Sequence, residues 1–107
     1  MEKSSVIEKH KRIEIPKLLN AANGRSCIKC GKDDGTIIRA HYSGIGAYQL
    51  GKGNRVKCHD FITADLCDEC HSYFDHYEHG NTYERAFEFF ILIFLTQERD
   101  FKAGLLK

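Results

Sequence analysis

Two Cys-x-x-Cys pairs constrain the fold of this chain more than any other feature of its sequence. The pairs are Cys27/Cys30 and Cys67/Cys70, and a fifth cysteine, Cys58, stands between them. Zinc takes four ligands in a tetrahedron, and two thiolates separated by two residues can bind it from one tight turn. We therefore predict a structural Zn²⁺ site made by the four paired cysteines. The alternatives are unrelated buried thiols and a redox motif, but neither pair lies in the βαβ context of thioredoxin-like motifs.

The spacing of the pairs indicates how the site is assembled. Thirty-six residues separate Cys30 from Cys67, whereas a compact zinc ribbon leaves roughly 15 to 20. An insert must therefore loop out between the two halves of the site. Cys58 falls in this insert. Because four thiolates already complete a zinc shell, we predict that Cys58 is a core thiol, with a replacement metal ligand as the alternative.

Length and composition favour one globular domain spanning residues 1–107. The first residues, Met-Glu-Lys-Ser-Ser, contain no apolar stretch that ends in a small-residue cleavage site. We therefore expect no signal peptide and a cytoplasmic location, where cysteines stay reduced. The most apolar run, residues 89–95, is far shorter than the ~20 residues that cross a bilayer, so we predict no membrane span.

Charge is distributed unevenly along the chain, although the net charge is only +1. Residues 1–57 hold twelve Lys or Arg and five Asp or Glu, whereas residues 58–107 hold four and ten. Such asymmetry is typical of a nucleic-acid-binding face, but two solvated surfaces without a partner would give the same pattern. Residues 1–13, which include a Lys-His-Lys-Arg cluster, are predicted to form a flexible basic arm.

Hydrophobic periodicity and turn residues predict an α+β chain. A first helix should begin at Pro16 and stop at Asn23-Gly24. The other predicted elements are strands at residues 36–41 and 63–66, a glycine-rich loop at 42–57, and helices at 68–78 and 82–102. Asn81 and Glu84 resemble a capping box at the start of the last helix.

The last predicted helix should close the core, because six of its apolar residues recur at helical spacing. These residues are Ala86, Phe87, Phe90, Ile91, Phe94 and Leu95. Phenylalanine also occurs on several faces of this helix, which favours a homodimer contact in addition to core packing.

Five short segments resemble a known family. They are Pro-Lys-Leu…Ala-Ala from residue 16, Gly-Arg-Ser-Cys from residue 24, Ala-His at residues 40–41, Gly-Lys-Gly from residue 51, and Cys-Asp-Glu-Cys-His over residues 67–71. A strand ending in histidine, a long loop and a Cys-x-x-Cys-His segment that opens a helix resemble the HNH, or ββα-metal, endonucleases with a four-cysteine zinc site. Residues 16–75, more than half of the chain, are similar to the YbcO-like family of small prophage-encoded nucleases.

The resemblance implies a fold and a setting. The expected fold is α+β, with a small zinc-stabilised ββα-metal finger between an N-terminal and a C-terminal helix. The expected protein is encoded by a phage or prophage and acts in the bacterial host cell.

The resemblance also implies roles for two histidines. His41 matches the strand-end histidine that acts as general base, and His71 matches the helix histidine that binds the catalytic Mg²⁺ or a similar divalent ion. Imidazole suits the first role because its unperturbed pKa is near neutral. Asp75, four residues after His71, is predicted to be a further ligand or to orient the His71 ring. The alternative roles are structural, with His41 in the core and His71 packed against the zinc turn.

Three basic residues are predicted to contact the DNA backbone. They are Arg39, Lys52 and Arg55. Contacts of this kind give affinity but little base specificity. The alternative is that these side chains are simply solvated.

Two departures from the pattern of the HNH family favour a function without catalysis. Arg39 and Ala40 precede His41, where many family members carry an acidic residue, and Ile62 and Thr63 occupy the region of the expected Asn. Asp60 or Asp75 could supply oxygen ligands instead.

The expected function is thus metal-dependent endonucleolytic hydrolysis of DNA. The alternative is a non-catalytic, zinc-ribbon-like module that binds nucleic acid, for example as a recombination accessory. A third candidate is a protein-interaction adaptor that uses the acidic second half and the apolar helix.

Overall fold

Two short strands and three α-helices organise the described part of this computed structural model, which comprises residues 12–53, 56–75 and 82–106. The elements are α1 (Pro16–Asn20), β1 (Ile38–His41), a 3₁₀ turn (Ala47–Leu50), β2 (Thr63–Leu66), α2 (Asp68–Asp75) and α3 (Thr82–Lys102). Most of the predicted basic arm, the end of the predicted 68–78 helix and the capping residue Asn81 lie outside the described residues. The α+β prediction is confirmed at this level. None of the described helices is long and apolar enough to cross a membrane.

The first helix is shorter than predicted. Pro16 occupies its first turn, where the missing N–H costs no hydrogen bond, and Leu18 is its buried residue. The helix ends at Asn20, and Ala22 beyond it still packs into the core. Before the helix, Arg12 and Ile13 contact Asp60 and His59, so the last two residues of the predicted arm lie against the fold.

The strands β1 and β2 pair antiparallel in one register, which places His41 opposite Thr63 and Arg39 opposite Asp65. All four residues of β2 are buried, because α3 packs against this strand. A two-stranded sheet is marginal by itself, so it depends on that helix. The first strand begins two residues later than predicted, since Thr36 belongs to a turn with Asp34.

The core-facing side of α3 differs from the predicted one. Its buried residues are Ala86, Phe89, Leu92, Ile93, Thr96 and Asp100. Of the six predicted core residues, Ala86 is buried and Phe90 packs against the core, whereas Phe87, Ile91, Phe94 and Leu95 are exposed. The prediction failed because α3 carries two apolar stripes at helical spacing, and periodicity alone does not tell which one meets the sheet.

A buried network of charges fastens the end of α3 to the sheet. Asp100 receives two hydrogen bonds from Arg39 of β1 and one from Arg25. Asp65 of β2 receives one from Arg25 and one from Arg99. Both carboxylates are completely buried, so each depends on these guanidinium groups for its charge balance.

The network yields a stability prediction. Replacing Asp100 with alanine removes the carboxylate to which Arg39 and Arg25 are hydrogen-bonded and leaves Asp65 as their shared buried partner, and we expect the free energy of unfolding in urea to fall by about 3–5 kcal/mol. As a control, Glu69→Ala removes an exposed ion pair with Lys32 and should change the unfolding free energy by less than about 0.5 kcal/mol. Equal effects of the two substitutions would contradict the role given to the buried network.

Candidate metal centre and histidine cleft

The four cysteines of the two Cys-x-x-Cys pairs form one cluster. Their Sγ atoms all lie within 4.8 Å of one another, and the Sγ atoms of Cys30 and Cys67 are 3.7 Å apart. Four sulfurs bound to zinc at about 2.3 Å in a tetrahedron would be separated by about 3.8 Å. The distances between the four sulfurs are thus close to those of a tetrahedral metal site. The cluster could coordinate a metal such as Zn²⁺, as the sequence predicts.

Each half of the cluster is shaped by a turn. In the first half, the N–H of Gly31 donates to the carbonyl of Cys27, and Gly31 has a φ of +83°, which glycine adopts without strain. In the second half, Cys67 precedes α2 and Cys70 lies in its first turn, where the Cys70 N–H points at the Cys67 Sγ over 3.4 Å. Thr36 Oγ1 accepts the N–H of Asp68, which satisfies a free donor at the start of α2.

The thiol pKa values reflect the crowding of the four sulfurs. Burial tends to raise the pKa of Cys27, but backbone N–H groups of Cys30, Cys67 and Lys29 outweigh it and lower the pKa to about 6. Burial and the neighbouring sulfurs raise the pKa of Cys67 and Cys70. Several thiolates at this spacing repel one another, and a bound cation removes that penalty.

The remaining cysteine, Cys58, lies apart from the cluster. It is fully buried in the hydrophobic core, and its Sγ–H donates to the carbonyl of Ala47 over 3.5 Å. Burial raises the pKa of the Cys58 thiol, which makes it a poor nucleophile. Cys58 is thus a thiol of the hydrophobic core, as the sequence predicts.

A cleft of about 370 Å³ opens beside the end of β1 and the start of α2. Its polar lining includes both histidines singled out by the sequence, the acidic residue after them and two lysines. These residues are His41, His71, Asp75, Lys52 and Lys57. The backbone brings them together because β1 and β2 form a hairpin-like pair and α2 follows β2 directly.

Asp60 holds the imidazole of His41 in place. Its Oδ1 lies 2.9 Å from Nε2 of His41 and also accepts from Arg12, while its Oδ2 accepts the N–H of Ile15 over 2.6 Å. Although burial raises the pKa of Asp60, these hydrogen bonds lower it below its ordinary value overall. An ionised carboxylate can only accept hydrogen bonds, so Nε2 of His41 is the donor and Nδ1 carries the free electron pair of the neutral ring.

The charge state of His41 follows from the same surroundings. Burial lowers the pKa of His41 and outweighs the opposing effect of Asp60, and the charges of Arg12 and Lys57 lower it further. The pKa therefore lies below the ordinary value of 6.5. At neutral pH the ring is uncharged and can accept a proton.

His71 and Asp75 are neighbours on the cleft side of α2. The Nε2 atom of His71 lies 3.6 Å from Oδ2 of Asp75, one helical turn away. Both side chains keep contact with solvent. An imidazole and a carboxylate at this spacing can share a divalent ion whose other ligands are water molecules.

The predicted DNA contacts are only partly in position. Lys52 lines the cleft, and Lys57, another basic residue of the same loop, lines it as well. Arg39 also contributes to the lining of the cleft, but its side chain is 1% exposed and is hydrogen-bonded to Asp100 and Thr63, so its guanidinium is already engaged inside the protein. Arg55 lies outside the described residues.

Sequence reasoning missed the role of Asp60. It was predicted only as an oxygen ligand for a metal, whereas both of its carboxylate oxygens are occupied by the three partners named above. Asp60 is nineteen residues from His41, and no motif links the two positions. The only available signal was an acidic residue three positions before the second strand.

The zinc site yields a prediction with a matched control. We expect the native chain to bind one Zn²⁺. The Cys67→Ser variant should bind none, and it should also lose the circular dichroism signal and the thermal transition of the folded chain, because zinc binding contributes directly to folding. Cys58→Ser should keep the full zinc content, since Cys58 is outside the cluster. Unchanged secondary structure after complete zinc removal would contradict this prediction.

Comparison with known proteins gives no relative from which a function could be transferred. No protein-family model, curated protein or solved structure matches the chain. Its chemistry must therefore be inferred from the cluster and the cleft themselves.

Proposed function

We propose that this protein is a metal-dependent endonuclease of the HNH type, which hydrolyses phosphodiester bonds in DNA and is held together by a structural Zn²⁺. One observation supports the proposal above the others. His41 at the end of β1 lines the same cleft as His71, which directly follows Cys70 of the four-cysteine cluster in the chain. The order β1, β2, α2 matches the ββα arrangement that the sequence resemblance implies.

In this proposal His41 is the general base. Its neutral Nδ1 accepts a proton from a water molecule, and the oxygen of that water attacks the phosphorus atom. The bond between phosphorus and the leaving oxygen breaks, the oxygen keeps the electron pair, and a solvent proton neutralises it. Asp60 is a positioning residue, because it holds the tautomer in which Nδ1 is free.

His71 and Asp75 would hold the catalytic Mg²⁺ or a similar ion. Such an ion, when bound, neutralises the charge that develops on the leaving oxygen. Two protein ligands suit Mg²⁺, which usually keeps several of its water molecules. The solvent contact of both side chains leaves room for those waters.

The lysines of the cleft supply the contact with the DNA backbone. Lys52 and Lys57 line the cleft together with His41, so a phosphate held by either lysine would lie near the base. Contacts of this kind weaken as salt concentration rises, because releasing counterions into a more concentrated solution gains less entropy.

The second candidate function is a nucleic-acid-binding module without catalysis. Among the described residues that line the cleft, Asp75 is the only carboxylate. Asp60 is buried and fully hydrogen bonded, so it cannot become a metal ligand without losing His41 or Arg12. A cleft with so little negative charge favours phosphate binding over tight binding of a divalent ion.

The decisive measurement is nicking of supercoiled plasmid by the zinc-loaded protein with Mg²⁺, Mn²⁺ or neither. We expect ion-dependent nicking that falls by at least about a hundredfold in His41→Ala, since a general base contributes roughly 10²–10⁴ in rate. Zinc content and the thermal transition should stay as in the native chain, which shows that the loss is chemical.

Two carboxylate variants test the ion site in the same assay. Asp75→Asn should raise the Mg²⁺ concentration needed for half-maximal nicking, whereas Glu69→Gln, on the same helix but away from the cleft, should not. Salt-sensitive DNA binding without nicking under any ion would favour the binding module. Equal activity of the native chain and His41→Ala would contradict the assigned base.

The surroundings of His41 also predict a pH profile. Because the lowered pKa keeps the base unprotonated down to below pH 6.5, we expect the nicking rate to decline only at lower pH. Asp60→Asn removes a group that raises the His41 pKa, so it should move the decline to still lower pH and reduce the plateau rate. A decline centred above pH 6.5 in the native chain would contradict this assignment.

A further inference from the structure

The solvent side of α3 carries a second apolar stripe. The exposed stripe consists of Tyr83, Phe87, Ile91, Phe94, Leu95 and Phe101. Each of these side chains is between 41% and 73% exposed. Their combined exposed area is roughly 700 Å², judged from the 150–250 Å² that a buried aromatic side chain occupies. Monomeric proteins seldom leave a contiguous patch of this size open.

The spacing of the stripe indicates that its partner is another helix. Phe87, Phe94 and Phe101 recur every seven residues, and Ile91 lies between the first two. Apolar residues at alternating intervals of three and four are typical of a seam between two packed helices. The core-facing residues of α3 lie on the other side, so both faces can be buried at once.

We propose that two copies of this chain form a symmetric dimer by packing their α3 helices antiparallel along the exposed stripe. In this register Ile91 of each copy lies opposite Phe94 of the other, and a two-fold axis relates the two Ile91–Phe94 contacts. The same register places Phe87 of one copy opposite Glu98 of the other. This inference does not depend on the proposed nuclease function.

A groove on α3 fits that register. It has a volume of about 520 Å³ and surrounds position 98, with Phe94, Leu95 and Phe101 on its walls. Phe87 of the second copy would enter this groove as a knob enters a hole. Because the interface is two-fold symmetric, each copy supplies one knob and one groove.

The charges at the two ends of α3 favour the antiparallel orientation. Glu84 lies in the first turn, and Lys102, whose side chain is 76% exposed, lies in the last. Antiparallel packing brings Glu84 of one copy near Lys102 of the other, whereas parallel packing would bring like charges together. Antiparallel helices also oppose their dipoles favourably.

The available area is sufficient for a stable dimer. Complete burial of the stripe on both copies would remove at most about 1,400 Å² from water, which reaches the range of about 1,200–2,000 Å² for standard protein interfaces. The centre of the interface would be aromatic, as is typical of residues that contribute most to binding.

Sedimentation equilibrium of the full zinc-loaded chain tests the proposal. We expect a mass of twice the 12.3 kDa monomer at micromolar concentration. Phe87→Glu should weaken dimerisation by at least about a hundredfold, because it replaces the aromatic knob and faces Glu98 of the second copy. Tyr48→Glu, an exposed aromatic residue outside α3, should leave the dimer unchanged.

Two further variants test the register. Phe87→Lys faces Glu98 of the second copy with an opposite charge, so it should dimerise at least about fivefold more tightly than Phe87→Glu. The double variant Phe87→Glu/Glu98→Lys should likewise dimerise at least about fivefold more tightly than Phe87→Glu alone. Zinc content and helical circular dichroism verify that each variant is folded.

Three results would overturn the proposal. The dimer would be excluded if the native chain stayed monomeric at a concentration of about 100 micromolar. A dimer unaffected by Phe87→Glu would place the interface elsewhere. Equal weakening by Phe87→Glu and Phe87→Lys, without recovery in the double variant, would exclude the antiparallel register.

Discussion

Four sulfur atoms join two parts of this chain that are far apart in sequence, and the positions of His71 and Asp75 follow from that junction. One pair of cysteines flanks a turn between α1 and β1, and the other stands at the start of α2. Closing the cluster fixes where α2 starts relative to the sheet, and His71 and Asp75 project from that helix. The sheet takes its core from α3, whereas the eight-residue α2 has Cys70 as its buried residue, so the placement of α2 depends on the cluster more than on apolar burial.

Two side chains of β1 are paired with buried carboxylates. Arg39 is paired with the buried Asp100, and His41 is paired with the buried Asp60. The first pair anchors the long helix to the sheet, and the second orients the proposed base. Both carboxylates are strictly internal, so the strand is held by directional contacts where a larger protein would use more apolar packing.

Much of the architecture could be predicted because its signals are local. The Cys-x-x-Cys pairs, Pro16 at a helix start and the long apolar helix depend on spacings within a few residues. The choice between two apolar faces of α3 could not be predicted, since both have helical period. The burial of Arg39 and the role of Asp60 depend on partners many residues away, such as Asp100 and His41, and pairing at such distances leaves no pattern in a single sequence.

The register of the two strands has a consequence for accuracy in folding. Arg39 and His41 lie two positions apart on β1, so their side chains share one face of the sheet. A slip of one residue against β2 would turn both side chains to the opposite face. The slip would displace the imidazole from the cleft and would also strand two buried carboxylates without their cations, at a cost of several kcal/mol. A chain that folds into the wrong register therefore loses its stability together with its base.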